Sequence, residues 1–111
     1  MKLTDIQKAV EEKYVSLPIE FQTRSGEEKV LNLRNFLRLP EADQDKVDVI
    51  ISQFDSIKDI GQARGVFIDF LTKLSGNDAL AAEFIETIDS DISIMMYIVE
   101  EYSKVTQAEK A

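Results

Sequence analysis

The chain has 111 residues, 44% hydrophobic and 31% charged, with no cysteine, no histidine and a formal net charge of -8, the proportions of one small globular domain. The missing Cys and His exclude disulfides, thiolate chemistry and Cys-type zinc sites, and remove the usual general base and the commonest metal ligand, so an enzyme would work with Asp, Glu, Lys, Ser or Tyr alone. The acidity argues against nucleic acid as a partner, and no apolar run suits a membrane span or a signal peptide, which makes a cytoplasm the expected location.

Thr4 is placed to cap a first helix whose apolar positions Ile6, Ala9 and Val10 fit a 3.6-residue period and which ends near Tyr14. From Val15 the pattern changes to alternation, with Val15, Leu17, Ile19 and Phe21 on one side and Ser16, Pro18, Glu20 and Gln22 on the other, a half-buried strand. Pro18 puts that strand at an edge. Arg24-Ser25-Gly26-Glu27 is a turn, and Val30, Leu31 and Leu33 return, so residues 17 to 33 read as a β-hairpin. A lone hairpin is marginal in water and has to pack on helices.

Asn35 to Leu39 is a compact apolar connector, and Pro40 suits the first turn of a second helix, with Glu41, Asp43 and Asp45 at its positive end and Val47, Ile50, Ile51, Phe54 and Ile57 as the buried stripe. Gly61 is the expected stop. A third helix is predicted from Gln62 to Leu74, ended by Gly76, and a fourth begins at the cap Asn77, carries Leu80, Phe84, Ile85 and Ile88 and stops near Asp89. Ser90 or Asp91 caps a last helix running to about Val105, and Gln107 to Ala111 is a frayed tail. The fold class is therefore mainly α, a single domain over 1–111 comprising an N-terminal helix and hairpin (1–40), a helical bundle (41–106) and the tail, with about five helices in all. No internal repeat, low-complexity tract or long linker divides it.

The acids at Glu41, Asp43, Asp45 and Asp48 lack the Gly and Glu that a calcium loop needs at its sixth and twelfth positions; counted from Asp43, those places hold Asp48 and Phe54. They are read as a charged helix start, and Asp89 and Asp91 as capping residues. No metal or other cofactor is expected. Arg34 and Arg38 share a face if the connector is helical, available to a partner's carboxylates or to this chain's own acidic helices. Tyr97 and Tyr102 have no indicated activating base and are read as packing residues at the edge of a contact surface.

Of the eight residues Ile92 to Val99, seven are apolar and only Ser93 is not. One core-facing stripe about 100° wide does not need that many. Two arrangements fit: a central helix enclosed by the other four, or a helix with one side on the core and another on a second chain, the outer side including Met95, Met96 and Val99 or the opposite Ile94 and Ile98. The candidate partner-binding residues are Ile94, Met95, Met96, Ile98, Val99 and Tyr102, with Arg34 and Arg38 as electrostatic contacts.

Three stretches carry a likeness to a known family: Lys13-Tyr14-Val15-Ser16-Leu17-Pro18-Ile19-Glu20 running through the hairpin to Leu31-Asn32-Leu33-Arg34-Asn35-Phe36-Leu37-Arg38-Leu39-Pro40; Phe84-Ile85-Glu86-Thr87-Ile88-Asp89-Ser90-Asp91-Ile92; and Ile98-Val99-Glu100-Glu101-Tyr102 to Thr106-Gln107. In that order and spacing the chain resembles the tail assembly chaperones of long-tailed phages and prophages of Gram-positive hosts, though with Asp89-Ser90 where Gly-Asp is common and with a short middle region. The resemblance implies a non-enzymatic role in the host cytoplasm, holding the hydrophobic tape measure protein soluble and delivering tail tube subunits around it, with absence from the mature virion. It also implies a longer product made by ribosomal frameshifting near the end of the gene. Two other readings fit the residues: a structural tail or connector subunit, and a small dimeric adaptor whose spare face is its own dimer interface.

Overall fold

A computed structural model describes residues 1–106; the frayed tail expected at Gln107 to Ala111 lies outside the described residues. The chain runs through α1 (Leu3–Lys13), the hairpin strands β1 (Leu17–Gln22) and β2 (Glu28–Leu33), a 3-10 turn at Phe36–Arg38, α2 (Glu41–Gln53) with a 3-10 extension to Ser56, α3 (Ile60–Ser75), α4 (Asp78–Thr87) and α5 (Ile92–Thr106). The result is a small helical bundle carrying an N-terminal antiparallel hairpin, the class that the periodicities predict.

The alternation sets the hairpin register. Leu17 pairs with Leu33 and Ile19 with Leu31, which puts the apolar residues of both strands on one face against the bundle, where Leu31 and Leu33 are fully buried. Pro18 is tolerated because a two-stranded sheet consists of edges. Phe21 meets the edge of Phe84 at 5.1 Å between ring centres, joining the hairpin to α4.

The hub of the bundle is α3, which packs against α2, α4, α5 and β2 and buries Ala63, Val66, Phe70, Leu71 and Leu74. The enclosed central helix is thus α3 and not the segment from Ile92 to Val99. Phe54 stacks against both Phe67 and Phe70, and Phe70 against Tyr102, so an aromatic chain ties α2, α3 and α5 together.

Two helix starts, those of α1 and α3, differ from the predicted positions. Gly61 does not stop the second helix: α2 unwinds into 3-10 geometry by Ser56, and the Asp59 carboxylate accepts from the Gln62 N–H at 2.8 Å, so α3 begins ahead of the glycine. At the N-terminus, Lys2 and not Thr4 occupies the cap position, with no side-chain hydrogen bond. Gly76 takes a left-handed φ of 66° after α3, and the Asn77 side chain accepts from Leu80 N–H to start α4, both as expected. Of the two candidates for the last cap it is Asp91, whose carboxylate accepts from the backbone N–H groups of Ser93 and Ile94. In α2 the buried stripe is narrower than predicted, because Val47 and Ile50 are buried while Ile51 is exposed.

The α4–α5 junction is sharp. Ile85 C=O accepts from Ser90 N–H, and Glu86 C=O from Asp89 N–H, the paired bonds of a Schellman ending. Asp89 and Ser90 both take positive φ, 55° and 54°, a conformation that glycine adopts without a Cβ penalty. Two arginines hold the strained turn: Arg24 binds the Asp89 carboxylate and the Glu86 carbonyl, and Arg64 donates to the Ser90 carbonyl.

Candidate functional site

Helix α5 divides the candidate contact residues in two. Met95 is 0% exposed, Ile98 8% and Tyr102 5%, at the i, i+3, i+7 spacing of a core stripe, and Val99 packs half-buried beside them. Met95, Ile98 and Tyr102 are therefore core residues of the folded monomer, which corrects their assignment to a partner-binding surface. Ile94 at 38%, Met96 at 46% and Tyr97 at 64% face outward. Neither predicted outer face is realised: one combines buried Met95 and half-buried Val99 with exposed Met96, the other buried Ile98 with exposed Ile94.

Helical geometry arranges the exposed three. Ile94 and Tyr97, three apart, are neighbours on one flank of the core stripe, while Met96 continues the line of Ile92 and Val99 on the other flank. Ser93, Glu100 and Lys104 form the polar ridge between the two flanks. Roughly two thirds of the circumference near Ile92 to Val99 is apolar, and the core consumes only its middle. Tyr97 is the most exposed of these residues, although from sequence it is expected only at the edge of a contact surface; with seven apolar residues in eight, no sequence signal separates its face from that of Met95 and Ile98.

The two arginines have separate environments, since only Phe36–Arg38 is helical and Arg34 precedes it. Arg34 donates from Nε to the Leu74 carbonyl and from a terminal nitrogen to the Lys73 carbonyl, both at 2.8 Å, and lies 3.6 Å from the Asp43 carboxylate. It thus satisfies the open carbonyls at the end of α3, an intramolecular role. Gly76 makes this possible: a Cβ there would lie 2.7 Å from the guanidinium carbon. Arg38 is exposed, its side chain in no ion pair or hydrogen bond among the described residues, beside a shallow groove lined also by Glu11, Tyr14, Ser16, Arg34 and Asn35. Both members of the predicted electrostatic pair line that groove, but Arg34 is engaged within the chain while the Arg38 side chain has no intramolecular partner among the described residues.

Tyr102 donates its hydroxyl to the Arg34 carbonyl at 2.8 Å. Burial pushes the phenol up to about 12, against the opposing influence of the Phe36 backbone and the Arg34 charge. The fold holds the neutral form, so this contribution is intact below the ordinary value of about 10 and is lost as pH rises from there through about 12, where the unfolded chain ionises first. Tyr102→Phe is expected to cost about 1 kcal/mol at neutral pH through the lost hydrogen bond and to remove part of the alkaline destabilisation. Urea midpoints for both proteins at neutral pH and near pH 11 check this. A phenol serving as a catalytic base would need the opposite shift.

The described residues contain no group of three or more Asp or Glu placed to hold a metal ion, and no helix long and apolar enough to cross a membrane. Among the apolar area that the surface does offer are the flanks of α5, and α1, whose residues are nowhere buried. The 3.6-residue period of Ile6, Ala9 and Val10 does form a helix, but no residue of that helix is buried. No protein-family model, no curated protein and no solved structure matches this chain.

Proposed function

We propose that this chain is a non-enzymatic phage tail assembly chaperone that binds apolar helical segments of the tape measure protein, keeps that protein soluble and helps recruit tail tube subunits in the host cytoplasm. The observation that carries the reading is the division of α5, whose core stripe is completed by Met95, Ile98 and Tyr102 while Ile94, Met96 and Tyr97 stay exposed. An apolar helix laid along such flanks buries its own stripe, as in other helix-recognition surfaces. Met96 suits a client of varying sequence, because an unbranched thioether adapts to different neighbours. The net charge of -8 keeps loaded complexes apart. The likeness of the three sequence stretches to that family supports the same reading, including a frameshifted longer form.

Mass spectrometry of purified virions from the phage or prophage that encodes the chain separates this role from that of a structural tail or connector subunit. The expected result is its presence with the tape measure protein in the lysate and its absence from the particle. Stoichiometric amounts in the mature particle would instead establish a structural subunit.

A further inference from the structure

Helix α1 is amphipathic but has no buried residue, and among the described residues it makes no substantial packing contact with any other element. An apolar groove runs along it, formed by Ile6, Ala9, Val10 and Tyr14, with Asp5 and Lys13 as its charged lining residues. An isolated helix of eleven residues is marginal in water unless its stripe is covered. Asp5 and Lys13 each lie four residues from Ala9, one helical turn to either side. Neither forms an ion pair among the described residues.

We infer that this face of α1 is a self-association surface, on which a second copy of the chain packs its own α1 antiparallel across a two-fold axis at Ala9. The small side chain at the crossing lets the two helices approach, and Ile6 and Val10 of each helix cover the other's stripe. The two-fold sets Asp5 opposite the partner's Lys13 and Lys13 opposite the partner's Asp5, two ion pairs from one self-complementary patch. Parallel packing would face each charge with its like, so the charge pattern selects the antiparallel arrangement. Eleven residues span about 16 Å, well short of the roughly 800 Å² per partner of a stable interface, so the dimer is weak and depends on concentration.

Sedimentation of the full chain from about 10 μM to about 1 mM, the range of a weak complex, tests this. The weight-average mass should climb from 12.6 kDa toward twice that value. Asp5→Lys and Lys13→Asp should each raise the dissociation constant about fivefold or more, each replacing two attractions by two repulsions, and the double swap should restore association. Restoration distinguishes pairing from helix stability: both reversals oppose the α1 dipole, so a helix effect alone would make the double variant the worst. A wild-type monomer throughout, a dimer indifferent to the reversals, or a double variant weaker than either single would overturn the proposal. So would a wild-type monomer whose Ile6→Asp variant loses a client that wild type holds, which would assign the groove to the client.

Discussion

Met95→Asp should leave no folded protein to assay, whereas Met96→Asp, one residue along the same helix, should fold and melt as wild type does. Met95 is 0% exposed within the cluster formed with Val66, Phe70 and Ile98. A carboxylate there has no partner: it stays ionised at a cost of several kcal/mol, or binds a proton and still leaves an unsatisfied polar group beside the cavity from the lost thioether. That is comparable to the whole stability of a small domain, about 5–15 kcal/mol. Met96 is 46% exposed, so its replacement costs little beyond a lower helix propensity, about 0.5 kcal/mol. Thermal melts by circular dichroism separate the two. A substitution of Met95 or Ile98 therefore reports on folding, and only the outward residues of α5 report on binding.

The second large effect is at the end of α3. Arg34→Ala is expected to cost about 3 kcal/mol, because two charge-assisted hydrogen bonds to the Lys73 and Leu74 carbonyls disappear together. Arg34→Lys should recover little, since an ammonium cannot reproduce the planar fork that meets both carbonyls. Gly76→Ala is expected to cost about 2–3 kcal/mol, part of it the left-handed φ of 66°, and the rest the displacement of Arg34 by a Cβ that would lie 2.7 Å from its guanidinium. The two costs should not add. With Arg34 already replaced, Gly76→Ala should cost only its backbone part, about 1 kcal/mol, so a urea double-mutant cycle should show a coupling of about 1–2 kcal/mol.

Much of this architecture is legible in local chemistry. The alternation from Leu17 to Phe21 gave the hairpin its register, and Gly76, Asn77 and Asp91 gave three helix boundaries, because each signal acts within a few residues of itself. Gly61 misled for the same local reason: Asp59, two residues earlier, supplies a better helix start than the glycine supplies a stop. The faces of α5 were not legible. Seven apolar residues in eight leave the hydrophobic phase of a helix undetermined, and the choice of Met95 over Met96 as the inward one is made by the packing of α5 on α3 and β1, distant in sequence. Arg34 was equally opaque, since its partners are carbonyls 39 and 40 residues away. The exposure of α1 was hidden because an amphipathic pattern records a face that needs covering without recording what covers it.

The most direct test of the proposed role is the soluble fraction of the tape measure protein, encoded in the same phage or prophage, when co-expressed with this chain. Wild type should hold the client in the supernatant, and the Met96→Asp/Tyr97→Asp variant, verified to melt as wild type does, should let most of it pellet. A folded variant that keeps the client as soluble as wild type would contradict the assignment of the α5 flanks as the client-binding surface.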